Sequence, residues 1–506
     1  MRAANKVLGN TAIMYLKSVV TIFITLYTVR LVLKNLGAND FGLFNVVGGV
    51  VTMLSFLNSA MTTSTQRYLS HAIGSQDFLR IRKLYSNSVL LHLLLGLLLI
   101  LVFEIVGYWM VNHKLVIDSS RVIAANYLLQ FSIISSFFSI VSVPNDAAIV
   151  SKENMAFVAI LGVFEVILNL ILASLLSFFN YDKLITYGFG IMLIAMVIRV
   201  IKWIYVKKTY KEFTFEPRKY FDKKMLLELN SYAGWNIFGS ISIVGKNQGL
   251  AIIFNLFFGT VVNAAYAVTN QVSSQILFFS RTLLQTMNPQ IMQSEGSGDR
   301  KRMIKLSFLA CKYGYLLVAF IGLPAIFEMD KILLVWLKDV PEYSVLFCRL
   351  IIISLLINQL TIGLQTAIQA TGQIKVYQIV VGAIQLLNLP IVYVLFKLGY
   401  APYYAMICYC VMEFISCVFR FLILKSISSF TISSFFKDVL RLQMLPTLMS
   451  VGICVLIVNF FSFDLRFLLT FTASIIGFFI IILLSLTVQE RELFDKIFSR
   501  IKLRLK

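Results

Sequence analysis

Charged side chains inside long apolar stretches are the groups of this sequence with the clearest potential for chemistry. A charge at bilayer depth costs on the order of 2.5–3.5 kcal/mol on insertion scales, so such a group is expected to face a partner or a hydrated cavity. The candidate charges in these stretches are seven cations, Lys17, Arg30, Lys246, Arg281, Lys312, Arg349 and Arg420, and three carboxylates, Glu104, Glu165 and Glu413. The excess of cations predicts an anionic ligand, and guanidinium and ammonium groups suit phosphate or pyrophosphate.

Depth divides these charges into two groups. Those near a stretch end can snorkel to the interface, and this is the simpler interpretation for Arg30, Arg349 and Arg420. The others lie deeper: Lys17, Arg281 and Lys312, and close to mid-stretch Lys246, Glu165 and Glu413. Polar residues recur at the 3.6-residue period in stripes that contain Lys17, Lys246 and Arg281, and in a fourth stripe over 354–369. Such stripes either join helices or line a hydrated cavity, and the cations in three of them favour the cavity.

The elements that hold these charges are predicted to be membrane-spanning helices. Of the 506 residues, 59% are hydrophobic and 14% are charged, and the mean hydropathy is +0.84. No water-soluble core needs that much apolar surface. Roughly fourteen stretches reach the ~20 residues that cross a bilayer, near 11–33, 41–63, 86–110, 122–144, 155–179, 184–204, 231–258, 262–288, 306–327, 344–368, 378–396, 403–424, 446–462 and 467–488.

The basic residues predict the orientation of the chain. The formal net charge is +21, and with an internal N-terminus about 30 Lys and Arg fall on the inner side against roughly 8 in the outer loops. Both termini are therefore expected to be cytoplasmic. The basic loop 207–224 and the tail 491–506 are expected at the inner face, where they contact anionic lipid or serve only as topology signals. Charge distributed in this way does not indicate a nucleic-acid partner.

Patterns for catalysis or metal binding do not occur in this sequence. The three histidines are scattered, the six cysteines lie in apolar stretches, and no P-loop glycine pattern is present. We expect no enzymatic activity, no metal and no cofactor. A membrane polymerase or glycosyltransferase is a less favoured alternative, because the sequence has neither an Asp-x-Asp motif nor a long outer loop.

A repeated phrase indicates an internal duplication. GSQDFLRIRKL at 74–84 recurs as GSGDRKRMIKL at 296–306, and a second echo links 148–170 with 367–389. Six spans in each half make both halves enter the membrane from one side. The predicted fold class is an all-α integral membrane protein of about 14 transmembrane helices, arranged as two parallel six-helix repeats plus two C-terminal helices. The predicted domains are the bundle 1–206, the linker 207–228, the bundle 229–425, and the segment 426–506 with two extra helices and a basic tail.

One stretch resembles a known family. In YTVRLVLKNLGANDFGLFNVV (27–47), the residues Arg30, Leu36, Gly37, Phe41 and Gly42 match the Arg-x-x-x-x-x-Leu-Gly-x-x-x-[Tyr/Phe]-Gly signature of bacterial polysaccharide-export flippases. These are O-antigen and capsule-repeat transporters of the multidrug/oligosaccharidyl-lipid/polysaccharide superfamily. The resemblance implies alternating-access translocation of an undecaprenyl-pyrophosphate-linked oligosaccharide across the bacterial cytoplasmic (inner) membrane. The implied partners are this anionic lipid-linked oligosaccharide, membrane lipids and other polysaccharide-assembly proteins.

The hypothesis assigns candidate roles to the buried charges. The candidate substrate-binding residues are Lys17, Arg30, Lys246, Asn270, Arg281 and Lys312, and Glu165 or Glu413 either couples an ion gradient or forms a static salt bridge. Two rivals belong to the same superfamily. A multidrug antiporter handles cationic drugs and is expected to use buried carboxylates, which are outnumbered here, whereas a peptidoglycan-precursor flippase is chemically close.

Overall fold

The computed structural model describes residues 2–52, 55–113, 117–178, 181–428, 430–463 and 465–485. The basic tail predicted at 491–506 lies outside the described residues. Within these ranges the chain is helical and contains no strand. The helices are α1 (Arg2–Thr52), α2 (Ser55–Gly74), α3 (Phe78–Val102), α4 (Tyr108–His113), α5 (Val122–Val141), α6 (Val143–Ser151), α7 (Met155–Leu175), α8 (Lys183–Thr209), α9 (Pro217–Tyr220), α10 (Lys223–Gly296), α11 (Arg300–Leu337), α12 (Ser344–Gln359), α13 (Ile362–Thr371), α14 (Ile374–Lys397), α15 (Tyr403–Ile427), α16 (Ile432–Phe435), α17 (Arg441–Phe460) and α18 (Arg466–Ser485).

The helices have the length and apolarity of membrane spans. Nine helical segments in the described ranges could each cross a bilayer, and the bent pair α12–α13 would make a tenth. One of the nine, α10, is 74 residues long and includes two of the predicted spans. The predicted fold class, an all-α multi-pass membrane protein, is confirmed.

Two glycines break the longest helices at matching points of the two repeats. The backbone of Gly37 in α1 has φ 78° and ψ 169°, and that of Gly259 in α10 has φ 74° and ψ −162°. Only glycine adopts this region readily, because a Cβ atom would clash with the backbone. Each glycine therefore turns the chain between two spans while helix continues on both sides.

The repeated phrase forms the same turn in both copies. Asp77 accepts a hydrogen bond from the Arg80 N–H at 2.9 Å, and Asp299 accepts one from the Arg302 N–H at 3.0 Å, so each aspartate caps the next helix. The residue before each cap has positive φ, 56° at Gln76 and 78° at Gly298. Both copies therefore have a helix end, a left-handed residue and a helix start, and the shared aspartate makes the start, although the left-handed residue is glutamine in one copy and glycine in the other.

The chain separates into two compact units. The N-terminal unit comprises Gly9–Ser240 with Glu295–Gly298, and the C-terminal unit consists mainly of Ile241–Ser294 and the chain from Asp299 onward. The largest core cluster of the C-terminal unit joins α10, α11, α12, α14 and α15 around Phe254 and Phe347, both fully buried. The N-terminal unit has separate clusters, one of them around Leu69 and Leu84.

Each unit contains an interrupted helix at an equivalent place. In the N-terminal unit α5 and α6 meet at Ser142, where Pro144 occupies the first turn of α6. In the C-terminal unit α12 and α13 meet at Leu360 and Thr361 with a bend of 44°. A break exposes backbone groups that need partners within the protein, and matching breaks in two repeats often mark the binding region of a transporter.

We predict that Gly259→Ala destabilises the protein by roughly 1–3 kcal/mol, because alanine cannot adopt this backbone conformation without strain. Thermal unfolding in detergent micelles measures the loss. Gly452→Ala is the matched control, since Gly452 lies inside α17 with no atom within 4 Å of an added Cβ. An equal fall in melting temperature for both variants would contradict the assignment.

Candidate functional site

A buried polar network lies inside the C-terminal unit. Lys246 of α10, Gln385 of α14 and Glu413 of α15 are exposed by only 3%, 4% and 5%. The Lys246 ammonium donates a hydrogen bond of 2.5 Å to Gln385 Oε1. The amide nitrogen of Gln385 donates in turn to Glu413 Oε2 at 3.0 Å and to Ser416 Oγ at 3.1 Å. Gln385 therefore bridges the predicted binding lysine and one predicted coupling carboxylate.

The carboxylate of Glu413 has a complete set of partners. Its Oε1 accepts from Arg420 Nη2 at 3.0 Å and from Asn358 Nδ2 at 2.7 Å, while its Oε2 accepts from Gln385. An ionised carboxylate can remain buried when a cation and neutral donors replace its water shell. This arrangement favours a fixed ion pair at Glu413.

Positive charge exceeds negative charge in this network. Lys246 and Arg420 are the cations and Glu413 is the carboxylate. Arg420 takes the carboxylate, and among the described residues Lys246 has no carboxylate oxygen within 4.0 Å. Its ammonium instead lies 3.5 Å from the centroid of the Tyr409 ring. An amide oxygen and an aromatic face compensate a cation less fully than a carboxylate does.

The network reaches the break between α12 and α13. Arg420 Nη1 donates to the hydroxyl of Thr361 at 3.4 Å, and Thr361 stands at the break itself. Asn358, which donates to Glu413, lies in the last turn of α12. The interrupted helix and the buried charges therefore form one structural feature.

A second set of polar residues lies on α10, and their side chains are exposed. The stripe predicted around Arg281 is exposed at Asn270, Ser274, Arg281 and Gln285. Arg281 and Asn270 thus share an uncovered face of the same helix. A guanidinium and two amides on one helix face would be unfavourable against lipid, so this face suits contact with water.

The predicted residues of the N-terminal unit occupy different environments. The half-buried side chain of Lys17 lies against Gly162, where an added Cβ would come within 2.6 Å of its Cε. Glu165, one turn further along α7, accepts from Arg199 at 3.1 Å. Arg30 is exposed. A side chain at position 162 would displace the end of Lys17 from this position.

The remaining predicted site residue, Lys312 of α11, is buried in the C-terminal unit. It is 4% exposed, and its ammonium lies 5.3 Å from the centroid of the Tyr313 ring. Of the predicted site residues, Lys246 and Glu413 are linked by hydrogen bonds to the same side chain, that of Gln385. No group of three His, Cys, Asp or Glu side chains within the described ranges could hold a metal ion.

Sequence reasoning missed three parts of this site. Gln385 and Tyr409 were not singled out, because neutral polar residues in apolar helices are common. Snorkelling was the favoured interpretation of Arg420, and it is wrong, because the side chain is 4% exposed and paired. A usable signal was the seven-residue spacing of Glu413 and Arg420, which places both on one face of α15.

Comparisons with known proteins identify the fold. No family model and no curated protein matches the sequence. Solved structures do match: a MATE mutant covers 86% of this chain and 97% of its own, with TM-score 0.72 and 11% identity. A Vibrio cholerae MATE transporter covers 84% and 97%, with TM-score 0.68 and 16% identity. A MOP superfamily transporter from Pyrococcus furiosus, described as having a binding pocket of reversed polarity, covers 86% and 96%, with TM-score 0.70 and 11% identity. At such identities the likeness establishes the fold: the chain has the fold of MATE transporters of the MOP superfamily.

We predict that Arg420→Ala destabilises the protein by about 3–5 kcal/mol, because Glu413 then keeps a buried charge without its cation. The double variant Glu413→Gln with Arg420→Met should recover much of this loss. Thermal unfolding in detergent provides the measurement. The control is Arg349→Ala, which breaks the half-exposed pair with Asp330 and should cost less than about 1 kcal/mol. Similar losses for both alanine variants would show that burial of the Arg420 pair is unimportant.

Proposed function

We propose that this protein is a flippase that moves an anionic, lipid-linked oligosaccharide across the cytoplasmic membrane. The undecaprenyl-pyrophosphate carrier implied by the sequence signature at 30–42 is the cargo we favour. The MATE-type fold supports membrane transport as the general class of activity. The charge of the site supports the choice of cargo.

The observation that carries the proposal is the open polar stripe on α10. Arg281, Asn270 and Gln285 are exposed, although they belong to an apolar membrane helix. Such a stripe is stable where water reaches it, as along a transport path. The guanidinium can bind two oxygens of a phosphate through two parallel hydrogen bonds, and the amides can bind sugar hydroxyls.

The buried network also favours a cargo with negative charge. Lys246 adds a positive charge that no carboxylate of the described residues neutralises within 4.0 Å. Its field reaches beyond its own side chain, because the surrounding protein screens charge weakly. An anionic head group is thereby favoured in the C-terminal unit and a cationic drug is disfavoured. The pocket of reversed polarity described for the Pyrococcus furiosus protein is a precedent within the same fold.

The structure supports a division of labour between the two candidate coupling carboxylates. Glu413 has partners on both oxygens and is fully enclosed. Glu165 has a side chain that is 36% exposed and one ion-pair partner, Arg199. A carboxylate that is not fully enclosed by protein can exchange an ion or a proton during a cycle more readily than an enclosed one. Within this proposal, Glu165 is therefore the coupling group and Glu413 holds the network together.

A multidrug antiporter is the second candidate function. It is favoured by the fold comparisons, since one similar structure is described as a multidrug resistance MATE family transporter. Ethidium efflux from cells that overproduce the protein distinguishes the two functions. The flippase proposal expects efflux no faster than in cells without the protein.

We predict that Arg281→Glu abolishes export of lipid-linked repeat units, because a carboxylate repels the pyrophosphate. Arg281→Lys should retain partial activity, reduced about tenfold, since an ammonium lacks the paired donors of guanidinium. Export is measured in cells that lack the native flippase, as the fraction of repeat units stranded on the cytoplasmic face.

Lys301→Glu is the matched control, because Lys301 is an exposed cation in the first turn of α11 and lies outside the stripe. It should export as the unaltered protein does. Normal export by Arg281→Glu at normal protein levels would overturn the assignment of the stripe. Rapid ethidium efflux without any flipping by the unaltered protein would overturn the function itself.

A further inference from the structure

The connection between α8 and α10 is a folded strap rather than a loose linker. We use the name strap for residues 207–224, which include the short helix α9. Phe213 and Tyr220 are 3% and 5% exposed, and Phe213 packs in the core cluster that contains Leu84 and Tyr85. Burying two aromatic side chains on the N-terminal unit stabilises one conformation of the strap.

Hydrogen bonds from α3 fix the end of the strap. The buried side chain of Asn87 donates to the carbonyl oxygen of Tyr220 at 2.7 Å and accepts from the Asp222 N–H at 3.1 Å. Asn87 is 1% exposed. These bonds satisfy the backbone on both sides of Phe221 and determine which strap side chains face outward.

Two of the three strap carboxylates are neutralised by cations from other elements. Lys152 pairs with Glu212, and Lys83 pairs with Asp222 at 3.4 Å. Burial works to raise the pKa of Glu212, but hydrogen bonds from Lys152 and from its own backbone outweigh burial and lower it overall. A hydrogen bond from the Met225 N–H, reinforced by Lys83, lowers the pKa of Asp222. Both carboxylates stay ionised at neutral pH and hold cations that lie outside the strap.

The strap's own cations are consequently left uncompensated. Glu216 pairs with Lys219 across an exposed 3.8 Å contact. The other basic residues of the strap are exposed and form no ion pair within the part of the chain described: Lys207, Lys208, Lys211, Arg218, Lys223 and Lys224. Large apolar side chains are exposed among them, Phe215 at 46% and Phe221 at 58%, with Trp203 at 49% in the last two turns of α8.

The position of the strap brings this surface to the membrane. Both α8, which ends at Thr209, and α10, which begins at Lys223, are candidate membrane spans. The strap joins their ends and must therefore lie at the level of the lipid head groups. Basic side chains interleaved with exposed aromatic rings are the composition that binds an anionic membrane interface.

We propose that the outward face of the strap is a binding site for anionic phospholipid head groups. Arg218, Lys211, Lys223 and Lys224 bind the lipid phosphates, and Phe215 and Phe221 enter the interface between head groups and acyl chains. Lys152 and Lys83 have a positioning role, because they neutralise the charge of the two carboxylates that would otherwise repel these lipids. The site is independent of the cargo and of the stripe on α10.

Fluorescence quenching by brominated lipids tests the proposal. Trp203 is retained as the reporter in a protein carrying Trp109→Phe, Trp235→Phe and Trp336→Phe, reconstituted in mixtures of phosphatidylcholine and dibrominated phosphatidylglycerol. We expect phosphatidylglycerol to be preferred near Trp203 by about fivefold, the preference that one engaged cation gives to each bound lipid. The preference should fall to about half or less of its value in Lys211→Gln/Arg218→Gln/Lys223→Gln/Lys224→Gln, which keeps Lys207 and Lys208 near the reporter, and it should weaken at high salt.

The control removes four cations elsewhere, in Lys34→Gln/Lys331→Gln/Lys338→Gln/Lys397→Gln, and should keep the preference. If the reporter protein does not fold, phosphatidylglycerol retained by the otherwise unaltered protein after detergent washing is measured by mass spectrometry with the same two charge variants. Equal affinity for both lipids overturns the proposal, including the case in which the strap instead binds an acidic protein. Equal loss in both charge variants overturns it as well, since it would indicate a net-charge effect.

Discussion

Hydrocarbon offers no hydrogen-bond partner, and this constraint governs the whole molecule. A polar group within a span is costly unless it finds a partner in the protein or faces water. Glu413 meets the requirement through three donors, one of which is the guanidinium of Arg420. Thr361, at the break between α12 and α13, meets it by accepting from the same guanidinium. One ion pair thus supports both the interrupted helix and the buried network.

The same constraint explains how the last two helices are attached. Arg466 at the start of α18 binds the fully buried carboxylate of Glu328 through two hydrogen bonds of 2.9 and 3.0 Å. Thr470 adds a third at 2.8 Å. Glu328 itself interrupts the helical geometry of α11. The extra helices are therefore an integral part of the C-terminal unit, since their removal would leave a buried carboxylate without partners.

The two units share backbone features that match the internal repeat of the sequence, but their charged side chains differ. The turns at Asp77 and Asp299 and the kinks at Gly37 and Gly259 have kept the same backbone geometry. The charged groups differ, because a turn constrains the backbone whereas a buried charge depends only on its local partners. Such divergence lets one fold hold sites of different chemistry.

Much of the architecture followed from the sequence itself. Apolar length predicted the spans, the repeated phrase predicted the duplication, and the 3.6-residue period placed Asn270 and Arg281 on one face of α10. Periodicity shows which residues share a face but not what that face meets. Only the tertiary structure paired Arg420 with Glu413, gave Lys246 an amide oxygen and an aromatic ring as its contacts, and exposed Arg281. These outcomes depend on packing between helices that are distant in sequence. A rotation of one helix about its axis decides whether a given side chain meets a buried partner or remains exposed.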